Sequence, residues 1–284
     1  MASLKDLRRR IRSTKSMQQI FKAMEMVAAA KLRRAQVRAQ AASPYARKIT
    51  EMLANIAGAA AEMEHPLFKA RPVKTTLLVV VTADRGFAGT YNTNVLRVAE
   101  GRLRSAPAGS IQLGVVGRKG RDYFKRRAIP LTFVHTDLPG EASIDFARRL
   151  TAEVSELFAS GKVDRVEVIY THFVNALIKR VETELFLPAG GDAPAGAADR
   201  GIIFEPDPET IFSELVPRYA TAKLYAAMAD AIASEHAARM VAMGSARKNA
   251  GELVDSLTLT RNRLRQAAIT REIAELVGGA EALK

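Results

Sequence analysis

Several residue types and patterns are missing from this 284-residue chain, and each absence narrows its chemistry. It has no cysteine and no tryptophan. The missing thiol excludes disulfides, thiol catalysis and thiolate metal sites, and it fits a reducing compartment. No apolar run approaches the roughly 20 residues that span a bilayer, and the run at 77–81 has the length of a strand. The four histidines are scattered, without the spacing of paired metal ligands: His65, His135, His172 and His236.

Acidic residues are scarce in the first fifty positions. This segment contains thirteen Lys and Arg but only two carboxylates, Asp6 and Glu25. It therefore carries +11 of the chain's formal charge of +13, and the other 234 residues are nearly balanced, with 30 basic and 28 acidic side chains. It has no Gly and no Pro before Pro44 and is rich in residues that favour a long helix. Such a basic helix must meet something acidic, in nucleic acid, a membrane or another protein.

The first of three zones runs from residue 3 to about 57, where apolar and small residues recur at steps of three and four. Two adjacent stripes predict a helix buried on more than one side, whereas a single partner helix requires only one stripe. Ser43-Pro44 is expected to bend or interrupt this helix. The first stripe comprises Leu4, Leu7, Ile11, Phe21, Ala28, Leu32 and Ala35, and the second comprises Met17, Ile20, Met24 and Val27.

The second zone, 73–205, alternates short β runs with helical stretches. The continuous apolar run at 75–82 is typical of a strand that is covered on both faces. Alternation of this kind predicts a layered α/β domain with a largely parallel sheet. The expected strands are 75–82, 111–116, 131–135, 163–173 and 181–187, and the expected helices are 92–105, 118–127 and 143–160.

The third zone, 208–284, predicts one very long helix. Asp207 is a natural N-cap with Pro208 at the first helical position. About 70 residues of helix would span roughly 105 Å, far more than a globular domain of this size needs. The two terminal helices are therefore expected to pair as an antiparallel coiled coil. The apolar positions of the third zone again follow steps of three and four: Leu224, Met228, Ile232, Leu253, Leu257, Leu264, Ile269, Ile273 and Leu276.

No motif in the chain carries catalytic chemistry. The Gly-rich segments 84–89 and 114–120 lack both the G-x-G-x-x-G pattern and a Walker Lys-Ser/Thr, which favours tight turns over phosphate binding. A nucleic-acid reader should interleave aromatic residues with its cations, yet Phe21 is the only aromatic residue before Tyr45. A nucleic-acid-binding coiled-coil protein and a nucleotide-dependent α/β enzyme remain the alternatives to a protein-binding shaft.

Four segments resemble signatures of the gamma subunit of F-type ATP synthase. Residues 20–35 (IFKAMEMVAAAKLRRA) are similar to the N-terminal signature of that family, and the resemblance runs from end to end. Phe21 departs from the usual Thr and Gly244 from the usual Lys, and the Cys-bearing insert of chloroplast members is absent. The C-terminal matches are 235–243 (EHAARMVAM), 249–253 (NAGEL) and 265–270 (RQAAIT), with Glu272, Glu275, Gly279 and Ala280.

The resemblance implies a rotor without catalytic residues, cofactor or metal. Its expected fold is an α/β Rossmann-like domain (73–205) inserted between two long helices (1–57 and 208–284) that form an antiparallel coiled coil. One copy would stand in the hexamer of alpha and beta subunits, bind epsilon and rest on the c-ring. Membrane association would be indirect, at the cytoplasmic face of a bacterial inner membrane, and no nucleic acid would be bound.

The resemblance also assigns roles to individual residues. Beta-subunit contacts are expected at Lys22, Met24, Lys31, Arg265 and Gln266. Packing in the hexamer bore is expected at Ile20, Val27, Ile269, Ile273 and Leu276. Glu205 and Asp207 are expected at the foot, which faces the c-ring and epsilon.

Overall fold

Two long helices frame the chain in the computed structural model, which describes residues 3–59, 65–189 and 207–282. Helix α1 spans Leu4–Ala59, and the last helix, α5, spans Pro208–Ala282. Each begins at a side-chain cap, because Ser3 Oγ accepts the Asp6 backbone N–H at 3.1 Å and Asp207 Oδ1 accepts that of Thr210 at 2.8 Å. The prediction of two long terminal helices is confirmed.

The expected interruption at Ser43-Pro44 does not occur, because α1 is one continuous helix through Pro44. Helix α5 likewise contains Pro217. A proline removes only one intrahelical hydrogen bond and costs about 3 kcal/mol, which packing along a long amphipathic helix can offset. Near Pro44, that packing comes from Ala42, Ile49 and Leu53, all of which are buried.

The sheet between these helices has five strands in the order β3-β2-β1-β4-β5. The first four are parallel and β5 is antiparallel to β4, so the prediction of a largely parallel sheet is confirmed. The strands are β1 Thr76–Val81, β2 Ile111–Val116, β3 Phe133–His135, β4 Arg165–Phe173 and β5 Lys179–Leu187. The helices between them are α2 Tyr91–Ser105, α3 Arg118–Lys125 and α4 Ile144–Ala159.

The sheet separates two apolar layers within residues 29–239. On one face, Leu78 and Val80 pack with residues of α2 and α3, including the fully buried Phe124. On the other face, Leu77 and Val79 pack with α4 and with the neighbouring parts of α1 and α5. The alternating side chains of β1 therefore fill both layers, which explains its uninterrupted apolar sequence.

The two Gly-rich segments serve close packing. A Cβ atom at Gly114 would lie 2.1 Å from Phe133 Cζ, and one at Gly117 would lie 2.2 Å from the Thr82 carbonyl oxygen. Gly117 also has φ 103°, which disfavours any other residue. The backbone N–H of Arg118, at the start of α3, donates to Asp84 Oδ1 at 2.7 Å. The prediction of tight turns is confirmed.

Candidate functional site

The beginning of α1 and the end of α5 form one compact unit, residues 1–28 with 240–284, which we call the helix-pair unit. Two close approaches define its register. A Cβ atom at Gly244 would lie 3.1 Å from Glu25 Oε1, and one at Gly251 would lie 2.9 Å from Gln18 Nε2. Glu25 thus lies opposite Gly244 and Gln18 opposite Gly251. Residue numbers fall by seven along α1 while they rise by seven along α5, so the helices are antiparallel as predicted.

An ion pair crosses the helix pair beside the first of these glycines. Arg247 Nε donates to Glu25 Oε2 at 2.8 Å. Gly244 leaves room for the Glu25 carboxylate, which a side chain at this position would crowd, and α5 continues through it without a break. Gly244, at a position where the resembled gamma-subunit signature usually has Lys, thus has a packing role in this chain.

The buried seam of the helix pair departs from the apolar stripe predicted for α5 (Leu253, Leu257 and Leu264), of which Leu257 and Leu264 are only half-buried. Leu253 was expected inside but is 50% exposed, whereas Val254 is 8% exposed. The small residues Ala250 and Gly251 let the helices approach closely, and this turns Leu253 outward. The seam contains Leu7, Ile11, Ala28, Met243, Ala250 and Val254.

The end of α5 extends past the helix pair. Continuing the register toward the start of α1 brings Leu4 opposite Arg265. Residues 265–282 consequently have no partner helix among the described residues, and every residue from 269 to 278 is exposed. This single helix carries four exposed large apolar side chains: Ile269 (48%), Ile273 (55%), Leu276 (74%) and Val277 (58%).

A second exposed apolar flank lies on α1. Ile20 is 56% and Val27 is 57% exposed, and Met24 is half-buried. The first stripe of α1 contributes Leu7, Ile11 and Ala28 to the seam, whereas most of the second stripe, for which burial is also predicted, faces outward within this chain. Seven cations accompany this flank within the first 28 residues: Lys5, Arg8, Arg9, Arg10, Arg12, Lys15 and Lys22.

The predicted contact residues are distributed over both units. Lys22, Arg265 and Gln266 are exposed in the helix-pair unit. Lys31 is half-buried in the second unit, residues 29–239, which we call the α/β unit. Within the helix-pair unit, Arg265 and Gln266 lie where the paired helices end, whereas the register places Lys22 opposite Arg247, so Lys22 does not cluster with them.

The predicted foot is only partly described. Asp207 caps α5, and both of its carboxylate oxygens bind Thr210, at 2.8 Å to the backbone N–H and 2.7 Å to the hydroxyl. The Thr210 backbone N–H, which stabilises the anion, is the main cause of the lowered pKa of Asp207. Glu205 lies outside the described residues.

A polar junction in the α/β unit escaped sequence analysis. Arg239 of α5 donates to Glu235 Oε1 at 2.6 Å and to the Gly86 carbonyl oxygen at 3.1 Å, which ties the loop after β1 to α5. Phe87 in this loop is 70% exposed and has φ 60°. The Asp-Arg-Gly run predicted a turn here, but no local pattern indicated that a distant arginine would hold it.

The same junction contains a buried histidine. His236 Nε2 lies 3.5 Å from the Gly140 carbonyl oxygen. Burial is the main cause of its lowered pKa, because it disfavours the charged imidazolium. On α1, Arg34 and Arg38 both pair with Glu141, so the neighbouring loop is tied to that helix as well.

Two features are absent from the described ranges (3–59, 65–189 and 207–282). No group of three or more His, Asp or Glu residues there could hold a metal ion. No helix there is long and apolar enough to cross a membrane.

Comparisons with known proteins agree with these features. The family model described as ATP synthase matches residues 3–283. The chain is 46% identical over 287 residues to the ATP synthase gamma chain of Moorella thermoacetica and 44% identical over 291 residues to that of Heliobacterium modesticaldum, with 100% of each chain covered in both cases.

Solved structures share the same fold. The chain resembles a chain of the central stalk and c-ring structure of Tetrahymena thermophila mitochondrial ATP synthase, with 26% identity, a TM-score of 0.63 and coverage of 80% of this chain and 99% of that one. A chain of the Euglena gracilis mitochondrial enzyme has 21% identity, a TM-score of 0.72 and coverage of 99% and 94%, and it supports the fold alone.

Long N- and C-terminal helices that flank a mixed sheet are the architecture shared with the similar chain of the central-stalk structure. The chain belongs to the ATP synthase gamma-chain family. This membership decides against the nucleic-acid-binding and nucleotide-dependent enzyme alternatives.

Proposed function

We propose that this gamma subunit is the rotating central shaft that couples ion flow through a membrane c-ring to ATP synthesis or hydrolysis in an alpha/beta hexamer. The subunit itself performs no chemistry. By its angle it would impose three different conformations on three catalytic sites. The proposal goes beyond family membership because it assigns a mechanical role to particular faces of the two helices.

The single helix 265–282 is the observation that carries this proposal. Most of the stability of a helix in a protein comes from packing of its apolar face, and a row of exposed apolar residues marks a surface for a partner. Ile269, Ile273 and Leu276 provide such an apolar surface, and each is about half exposed or more. A sleeve formed by other subunits would cover them, and Ile20 and Val27 would pack against the same bore.

The basic residues of α1 suit a contact that must tolerate rotation. Cations attract acidic loops over a long range and with little dependence on angle, which is appropriate for a shaft that turns past three similar subunits. Lys22, Met24 and Lys31 would meet beta subunits from α1, and Arg265 with Gln266 would meet them from α5. Arginine can also form bidentate bonds to a carboxylate, which makes Arg265 the most directional of these contacts.

The start of α5 would form the foot. Asp207 and Glu205 would lie near the c-ring, and epsilon would bind to the α/β unit. The subunit would then be peripheral at the cytoplasmic face of a bacterial inner membrane and associate with it indirectly. Because both oxygens of Asp207 are engaged by Thr210, Asp207 would shape the foot, and Glu205 would supply a carboxylate for contact with the ring.

Co-expression with alpha and beta subunits tests the proposal. We expect one gamma subunit per alpha/beta hexamer by native mass spectrometry. The double variant Ile273→Asp with Leu276→Asp should abolish or strongly weaken this assembly, since it introduces charges into an apolar bore. The matched variant Leu177→Asp with Ile178→Asp changes exposed apolar residues of the α/β unit and should still assemble. A stable wild-type chain that ignores both partner subunits would refute the proposal.

A further inference from the structure

Helices α2 and α3 and the residues around them (91–132), which we call the α2/α3 layer, have an uneven charge distribution. The nearly equal numbers of basic and acidic residues in 51–284 as a whole conceal it. Within residues 91–132, all eight exposed charged side chains are cationic. The only two carboxylates, Glu100 and Asp122, are half-buried. The exposed cations are Arg97, Arg102, Arg104, Arg118, Lys119, Lys125, Arg126 and Arg127.

Both carboxylates are already engaged inside the layer. Glu100 accepts hydrogen bonds from the Tyr123 hydroxyl at 2.9 Å and from Arg104 at 2.9 Å, and it lies 3.7 Å from Arg127. The hydrogen bond from Tyr123 is the main cause of the lowered pKa of Glu100. Asp122 pairs with Arg121 at 2.8 Å. Lys125 and Arg126, in contrast, have no ion-pair partner among the described residues.

Five of the eight cations lie at one end of this layer. Helices that connect parallel strands run opposite to them, so the last turns of α2 and α3 lie at the edge where the strands begin. The shared Glu100 joins these two turns, and hydrogen bonds between Thr76 and Ser110 and between Asp164 and Thr75 tie the neighbouring loops together. The five cations are Arg102, Arg104, Lys125, Arg126 and Arg127.

The beginning of α5 lies at the same edge of the sheet. The Phe212 ring, near the start of α5, packs 5.0 Å from the ring of Phe68 in the loop before β1. The Ala189 backbone N–H, just after β5, donates to Leu67 in that loop at 2.8 Å. The basic end of the α2/α3 layer thus shares an edge with the proposed foot.

The surface chemistry distinguishes among acidic partners. Stable protein interfaces are usually built around apolar or aromatic anchors, and no large hydrophobic residue is exposed within residues 91–132. Single-stranded nucleic acid needs aromatic faces for stacking, and the Tyr123 ring is covered by the Arg127 guanidinium at 3.6 Å. A charged lipid surface needs only accessible cations close to it.

We propose that the α2/α3 layer is an electrostatic docking surface for anionic phospholipid headgroups. Its placement near a bilayer rests on the proposed function, because the c-ring would bring the foot to the membrane. The binding chemistry depends only on the cations of this layer. Contact with headgroups would keep the basic end of the α/β unit close to the membrane surface without insertion.

Vesicle binding tests this surface on the purified complex with alpha and beta subunits. The probes are phosphatidylcholine vesicles with and without phosphatidylglycerol. We expect binding only to the anionic vesicles, and we expect it to disappear when NaCl is raised from about 0.1 M to about 1 M. Each cation near the surface contributes about fivefold, so Lys125→Gln with Arg126→Gln should weaken binding about 25-fold.

A matched variant distinguishes binding by the α2/α3 layer from an effect of the overall positive charge of the chain. Arg148→Gln with Arg149→Gln removes the same charge from two consecutive exposed residues of α4, which lies on the other face of the sheet, and should leave vesicle binding nearly unchanged. The proposal is overturned if the two double variants lose vesicle binding equally. It is also overturned if Lys125→Gln with Arg126→Gln binds the anionic vesicles as tightly as wild type. Both variants should assemble with alpha and beta subunits. Failure of the wild-type chain to assemble would instead refute the rotor, and the vesicle comparison would then be made on the isolated full chain.

Discussion

The α/β unit and the helix-pair unit use apolar residues in opposite ways. In the α/β unit, Leu77, Phe124 and Phe158 are 0% exposed. In the helix-pair unit, Ile20 is 56% and Leu276 is 74% exposed. Both sets fall on regular apolar patterns in the sequence. The α/β unit therefore has a large closed core, although it also exposes single apolar residues such as Leu177, whereas the helix-pair unit exposes a row of apolar side chains along one helix.

One carboxylate from each unit shows the same contrast in burial. Glu167 of β4 is 3% exposed and lies between two guanidinium groups, 2.5 Å from Arg102 and 2.8 Å from Arg165. Glu25 and Arg247 are 29% and 45% exposed in the helix pair. A buried carboxylate that loses a partner is costly, whereas a solvated pair contributes little. The α/β unit should therefore respond to mutation through stability, and the helix-pair unit through assembly and turnover.

The largest expected difference in stability lies between Phe158→Ala and Leu276→Ala. The first leaves a cavity in a closed core and removes the ring that faces Arg71 at 4.5 Å, so it should lower the free energy of unfolding by about 3–5 kcal/mol. The second removes an exposed side chain and should change it by less than about 0.5 kcal/mol. Urea unfolding of the isolated chain measures both. Similar losses for the two variants would contradict the comparison.

The second expected difference concerns the two glutamates. Glu167→Gln keeps the size of the side chain but leaves two guanidinium groups without a counter-charge, so we expect a loss of about 2 kcal/mol in unfolding free energy. Glu25→Gln should cost less than about 1 kcal/mol. The two variants are matched in chemistry and differ in burial. The assignment of Glu167 as a structural charge would be wrong if its variant unfolds at the wild-type urea concentration.

Sequence periodicity predicted the architecture because strong local patterns and the long-range packing agree. The strand at 111–116 was placed at its observed bounds, and the other strands and helices differ by one to a few residues at their ends. The spacing of apolar residues by three and four predicted that Leu253 lies inside the helix pair, but Leu253 is exposed. This spacing does not reveal at which small residues the two helices approach each other closely. The basic layer of α2 and α3 was missed because charge was averaged over 234 residues, which hides its segregation onto one face.

The candidate site was less predictable than the fold. The sequence pattern identified Ile269, Ile273 and Leu276 as apolar, but their exposure follows from the register that ends the helix pair near Arg265. Arg239 and the loop at Gly86 are 153 residues apart, so no local spacing could have joined them. Contacts with partner subunits depend on surfaces that the chain itself does not contain, and the roles of Lys22, Met24 and Lys31 remain predictions.

At the exposed end of the helix pair, Arg265→Ala with Gln266→Ala should affect turnover rather than folding. Loss of a charged hydrogen bond to a beta subunit should slow ATP hydrolysis by the reconstituted complex about tenfold. The melting temperature of the isolated subunit should stay near the wild-type value, because both side chains are exposed. Wild-type turnover, or a large fall in melting temperature that turnover follows, would identify the pair as ordinary structure.

A smaller effect on turnover is expected from Met24→Lys. Met24 is half-buried on the outward flank of α1, where a new cation could bind an acidic loop of a beta subunit too strongly. Hydrolysis should continue while the number of ions pumped per ATP falls. Met24→Leu is the matched control, since it keeps the apolar contact without a charge. Unchanged ion pumping in Met24→Lys would exclude this position from the coupling contact.

The smallest expected effect is a mild loss of stability on acidification, and it belongs to the α/β unit. Burial lowers the pKa of His236 below its ordinary value of 6.5, and His65 is shifted in the same direction. The unfolded chain therefore binds more protons at these positions than the folded chain does. Their contribution is fully present above pH 6.5 and is lost as the pH falls from there toward the folded pKa. Asp230, whose pKa is raised by burial, acts with the opposite sign, but it is common to wild type and variant and cancels in their difference.

Urea unfolding of wild type and His236→Gln above and below pH 6.5 measures the effect, and the variant should lose less stability on acidification. Equal losses in the two proteins would show that His236 does not sense pH in the folded chain.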